Sequence, residues 1–179
     1  MSINHWIVKN LVCTLFLVVG GLNIYAQKDK YLIEAEAFQF KGKWSTDRSA
    51  DCMGSAMLRL NGGGSLDEQF DALTVVNIME EGDYNVWVRS ADYDKLPGTR
   101  LFRLSVDEKP MKESGKHGKV GFYWENAGCV QLAKKQVLLR LHDTKRNFGR
   151  CDAILLVKDH SINPMRWIER KWANGEKIP

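Results

Sequence analysis

The chain has 179 residues, 44% of them hydrophobic and 27% charged, the balance of an ordinary globular domain. That balance excludes a disordered or collagen-like chain, and a mean hydropathy of −0.34 excludes a protein built of many membrane spans. Lys and Arg number 26 against 22 Asp and Glu, a net charge of +4, and the two signs are interspersed, so no nucleic-acid footprint is expected.

Taken in chain order, the first feature is a leader. Residues 1–26 carry one charged side chain, Lys9, followed by an apolar run over 11–21 and small residues up to Ala26. This predicts a signal peptide cleaved after about Ala26. The run is shorter than the roughly 20 residues that span a bilayer, so no membrane span is expected in the mature chain. The expected location is the periplasm, the cell surface or the medium. Cys13 falls in the leader, which leaves Cys52, Cys129 and Cys151. An odd number in an oxidising compartment leaves one bridge, or three small buried thiols, both open. No Cys/His spacing suits zinc.

Period-two alternation then dominates. Strands are predicted over 31–38, 56–60, 72–79, 84–90, 101–106, 120–124, 129–132, 136–142 and 152–157, with Gly, Pro, Asp and Asn turns between them. Such spacing predicts an all-β sandwich. The domain is expected over 27–160. A tail over 161–179 follows, with a short helix that starts at Pro164 and ends near Gly175.

Few residues suggest chemistry. Ser65 follows three glycines but lacks the strand–turn–helix setting of a hydrolase nucleophile. His142 and Asp143 are adjacent, and neighbours on a strand point to opposite faces. No enzyme activity is expected. Glu34 and Glu36 are two apart on one predicted strand face, together with Leu32 and Phe38. Two carboxylates so placed repel unless a positive charge lies between them, and a hard cation such as calcium would serve. Aromatic residues crowd the predicted loops, among them Trp44, Tyr93, Tyr123, Trp124 and Phe148. Sugar rings offer C–H faces to such rings and hydroxyls to nearby Asn, Asp, Arg or His. The other reading is that these rings cap the ends of the sandwich.

The segments Ile33-Glu-Ala-Glu36, Gly82-Asp-Tyr-Asn-Val-Trp-Val-Arg-Ser-Ala91 and Cys151-Asp-Ala-Ile-Leu-Leu156 resemble, in order, signposts of family 6 and family 35 carbohydrate-binding modules. Lys41-Gly-Lys-Trp44, Met53-Gly-Ser55, Pro97-Gly98 and Phe148-Gly-Arg-Cys-Asp-Ala-Ile154 resemble the variant attached to xanthan lyases, golvesin-type proteins and secreted FAD-dependent oxidoreductases. Asp51-Cys-Met53 and Cys129 depart from it. The resemblance covers about residues 31–158. It implies a jelly-roll, galactose-binding-like sandwich whose first and last strands are neighbours. It implies a structural calcium held by Glu34, Glu36 and Asp152. It implies a glycan site using Trp124 and Asn147, with Tyr93, Tyr123, His142 and Arg150 as further contacts. The function expected is a non-catalytic module binding a poly- or oligosaccharide. The alternative is a structural or protein-interaction sandwich, an accessory of a secreted enzyme, with Trp167, Ile168 and Trp172 of the tail as a docking face.

Overall fold

The computed structural model describes residues 24–61, 68–144 and 148–166. It holds eleven described strands: β1 (Ile24–Gln27), β2 (Lys30–Glu34), β3 (Ser45–Arg48), β4 (Ala56–Arg59), β5 (Ala72–Asn77), β6 (Gly82–Ala91), β7 (Phe102–Val106), β8 (Lys109–Ser114), β9 (Phe122–Leu132), β10 (Gln136–His142) and β11 (Arg150–Val157). They form two antiparallel sheets. In the larger, β11 is the spine. One edge of β11 takes β2 and then, at Arg150 and Cys151, β4, which carries β3. Its other edge takes β6, which pairs onward with β9. The smaller sheet runs β5-β10-β7-β8.

The core lies between the sheets. Tyr31, Ile33, Val86, Val88, Ile154 and Leu156 of the larger sheet meet Val76, Phe102, Leu104, Val106, Leu139 and Leu141 of the smaller. Alternation is clean in β7 and β10, where every second residue is buried. It fails in β6 and β11, which are buried on both faces. There, Trp87, Trp124, Ala153, Leu155 and Val157 form a second apolar cluster, covered in part by Leu32, Met53 and Ile162.

The expected strand over 31–38 stops at Glu34. Ala35–Ala37 make a 3-10 turn, closed by the Phe38 amide donating to the Ala35 carbonyl at 3.0 Å. A continuous strand would put Phe38 on the face of both glutamates; the turn sends it into the core, 3% exposed. Segments 120–124 and 129–132 are one strand, β9. Its register against β6 slips between Gly128 and Asn126, so Ala127 is an extra residue that breaks the alternation. β3 and β8 were not expected, since both are polar edge strands. β8 returns from β7 through Asp107 and Glu108, with φ of 51° and 66°, the two-residue hairpin geometry. Cleavage after Ala26 would fall inside β1. The predicted tail helix lies outside the described residues beyond Met165 and Arg166. Among the described residues, no helix is long and apolar enough to cross a membrane.

Candidate functional site

Two polar constellations stand at the end of the sandwich where β6 finishes and β11 begins. The first forms around a bulge. Cys151 pairs with Ser90 and Ala153 with Arg89, so Asp152 is the extra residue on β11. The bulge lets Cys151 pack in the core while Ala153 faces the outer cluster. It also holds the Asp152 carboxylate fully buried. A charge there needs partners. The Arg89 guanidinium pairs with Asp152 Oδ2 and also donates to the Asp51 carbonyl, at 3.1 Å from each terminal nitrogen. The Met53 amide donates to the same carboxylate at 3.3 Å, and the Cys52 thiol hydrogen-bonds it.

Glu34, at the end of β2, and Glu36, in the 3-10 turn, face the same region. Gly54 closes over them with φ of 61°; a Cβ there would stand 2.5 Å from Glu34 Oε2. Burial, then Glu34 and Asp152, push the Glu36 carboxyl up to about 7. Burial raises Asp152 to about 6 against the pull of Arg89. Glu36 Oε2 and Asp152 Oδ1 are buried with no hydrogen-bond donor. Hard oxygen donors left without a proton donor fit a calcium ion. As they stand, no three His, Cys, Asp or Glu side chains among the described residues are drawn together around one point as a bound ion would hold them. Arg89 and Cys52 were missing from the sequence-based set. Arg89 could have been found there: Val86 and Val88 face the core, so Trp87 and Arg89 face the outer side.

The second constellation is an open cleft of about 220 Å³ lined by Tyr93, Thr99, Arg100, Phe148 and Arg150. Asp92, just past β6, is buried and shapes it. Its carboxylate accepts from the amides of Tyr93 at 2.8 Å, Gly98 at 3.1 Å and Gly118 at 2.8 Å, which ties two loops together. The Phe148 amide donates to the Thr99 carbonyl at 3.1 Å, bringing the far wall in. Gly149 lies flat on the core, where a Cβ would meet Trp44 at 2.9 Å, so Phe148 and Arg150 can flank the opening. Tyr93 is 40% exposed and Phe148 44%. Arg100 donates to the Asp92 carbonyl at 2.8 Å and stands 5.8 Å from the Tyr93 ring centre. Arg150 Nη1 is buried without an acceptor.

Of the sequence-based ligand residues, the structure therefore brings Tyr93 and Arg150 together. Trp124 is 4% exposed, packed in the outer cluster of the larger sheet, and does not line the cleft. Tyr123 lies tilted against the His117 ring, 4.9 Å between centres, with the Lys119 ammonium 4.9 Å from its own centre. His142 Nδ1 is held by Asp71 at 2.9 Å, not by its neighbour Asp143. Asn147 lies outside the described residues. Arg100 and Thr99 gave no signal in the sequence; Phe148 did, as a loop aromatic.

No family model matches the chain, and no curated protein matches it. Solved structures do. A family 35 carbohydrate-binding module from Clostridium thermocellum aligns with a TM-score of 0.55 and 17% identity, over 70% of this chain and 97% of that one. The fold is a carbohydrate-binding-module-like β-sandwich. The Podospora anserina GH26-CBM35 β-(1,4)-mannanase aligns at 0.60 and 15% identity, over 77% of this chain and 29% of that one. A Paenibacillus xanthan lyase aligns at 0.55 and 18%, over 70% of this chain and 13% of that one. This chain thus spans under a third of those two enzymes' lengths. At these identities the likeness is one of fold.

Proposed function

We propose that this chain is an exported, non-catalytic glycan-binding module whose ligand lies in the Tyr93–Phe148 cleft. The observation that carries the reading is two half-open aromatic rings flanking a concave opening that also presents guanidinium donors. Aromatic faces take the apolar side of a sugar, and few well-placed polar groups set its orientation. An alignment that takes in 97% of a family 35 module and 70% of this chain supports a binding role over a catalytic one. The expected affinity is micromolar to millimolar, about −4 to −8 kcal/mol. Export rests on the leader over 1–26.

Calcium belongs to the same reading. Glu34, Glu36 and Asp152 would hold it, and the ion would supply positive charge to two buried oxygens that lack it. Arg89 would keep Asp152 oriented through Oδ2. Affinity electrophoresis against a panel of polysaccharides tests the glycan reading. Retardation by at least one glycan is expected, weakened in Tyr93→Ala and Phe148→Ala. Retardation by none favours the scaffold reading, a sandwich without a sugar ligand. Retardation that both variants leave intact places the site elsewhere.

A further inference from the structure

The loops that follow β6 and β8 hold apolar tips out in solvent. Among the described residues seven large apolar side chains are exposed, and Leu96 at 62% and Val120 at 72% are the most open of them. Both sit on tight turns. The Leu96 amide donates to the Tyr93 carbonyl at 3.1 Å, and the Thr99 amide to the Leu96 carbonyl at 3.3 Å. Gly118 and Gly121, with φ of 69° and 90°, bracket Val120. The loops lie side by side. The Gly98 and Gly118 amides both donate to Asp92, and a Cβ on Gly118 would stand 3.4 Å from Pro97, the residue after Leu96.

Charge around the tips is one-sided. Segments 93–100 and 115–121 carry Lys95, Arg100, Lys116 and Lys119 against Asp94 alone. The three lysines are exposed. The carboxylates beneath the loops are already engaged by backbone amides, Asp92 as above and Glu125 by Gly115 at 2.7 Å. Apolar side chains held in water cost free energy, which a partner that covers them offsets. Leu96 and Val120 are convex points parted by glycine and lysine, not one continuous apolar face. A shaped protein surface would need a matching pit for each. A bilayer closes around any such point, and lysine stems reach from there to the phosphates.

We propose that this loop end docks on an anionic phospholipid surface. Leu96 and Val120 enter the boundary between headgroups and acyl chains, and Lys95, Lys116 and Lys119 lie among the phosphates. The two tips stand outside the lining of the cleft, so the inference goes beyond the glycan reading and does not depend on it.

Vesicle co-sedimentation tests it, with the exported chain after leader removal, since the apolar leader would itself enter lipid. Vesicles of phosphatidylcholine are compared with an equal mixture of phosphatidylcholine and phosphatidylglycerol. Binding at least tenfold tighter to the anionic vesicles is expected, because each lysine near such a surface contributes about fivefold. Lys116→Gln with Lys119→Gln should weaken it about 25-fold, and Leu96→Ser with Val120→Ser about tenfold. Lys134→Gln with Lys135→Gln, an equal charge loss just past the Leu132 end of β9, opposite Phe122, should leave it unchanged. Equal weakening by both lysine pairs means bulk attraction and overturns the inference. Binding that Leu96→Ser with Val120→Ser leaves intact also overturns it, because another surface then makes the contact. Binding to neither vesicle overturns it as well and leaves the tips to a protein partner. The parent chain's preference for anionic vesicles needs no variant, so a misfolded one cannot shelter the claim. None of these failures touches the glycan reading, which the polysaccharide panel decides.

Discussion

Among the described residues, Arg89 and Asp152 are the most deeply buried ion pair. Both side chains are buried, at 7% and 0% exposure. Replacing Arg89 by Met leaves an anion in the interior with only the Met53 amide and the Cys52 thiol for support. Breaking such a pair costs about 3–5 kcal/mol. Chemical denaturation of Arg89→Met should show a loss of that order, and Asp152→Asn in the same chain should recover part of it. Equal stability of Arg89→Met and the parent would mean that the pair is not formed. Trp124 separates two accounts of one residue. As a packed ring it is expected to cost about 3–5 kcal/mol on truncation to Ala. Trp124→Phe should fold and retain glycan as the parent does. Lost retention in a stable Trp124→Phe would return Trp124 to the ligand site.

At the scale of elements, bulges decide what could be read from the chain. Strands with simple alternation, such as β7 and β10, were legible because one face is core and the other is solvent. β9 read as two pieces because Ala127 adds one residue and reverses the alternation. The same device at Asp152 hides the reason that Cys151 and Ile154 share the core. β3 and β8 carry too few apolar residues to announce themselves. The site divides in the same way. Glu34, Glu36 and Asp152 came from a resemblance at strand ends. The cleft joins residues from three separated segments, and only the folded turns around Asp92 and Gly149 bring Arg100 to Arg150. Gly54 makes this concrete. Its φ of 61° and the 2.5 Å separation from Glu34 leave no room for a methyl group. Gly54→Ala should therefore lose at least about 1 kcal/mol in denaturation; an unchanged midpoint would show that the 51–54 segment yields.

For the whole molecule, the shared strands matter most. β6 carries Arg89 and runs on into Asp92 and Tyr93; β11 carries Arg150 and Asp152. The carboxylate cluster and the cleft thus share the same two strands at one end of the sandwich. If calcium sits among the carboxylates, it stabilises the folded state by mass action. A chelator should then lower the melting temperature, by roughly 2–8 °C for each 1–2 kcal/mol lost in a domain of this size, and should also weaken glycan retention. Glu36→Gln should remove the calcium response while the chain stays folded. A melting temperature indifferent to both calcium and chelator would mean that Arg89 alone balances the cluster. Most of the remaining stability lies between the sheets, where Phe102, Leu139 and Ile154 are fully buried, out of reach of either site.

The central claim is the place of the ligand, and amide chemical-shift mapping tests it most directly. With trigalacturonate, cellotriose and xylotriose titrated in turn into the isotope-labelled chain, at least one should move the amides of Tyr93, Thr99, Arg100, Phe148 and Arg150 together. The amides of Trp87, Trp124 and Leu155 should hold still. Shifts gathered on that outer cluster, with the cleft unmoved, would contradict the account.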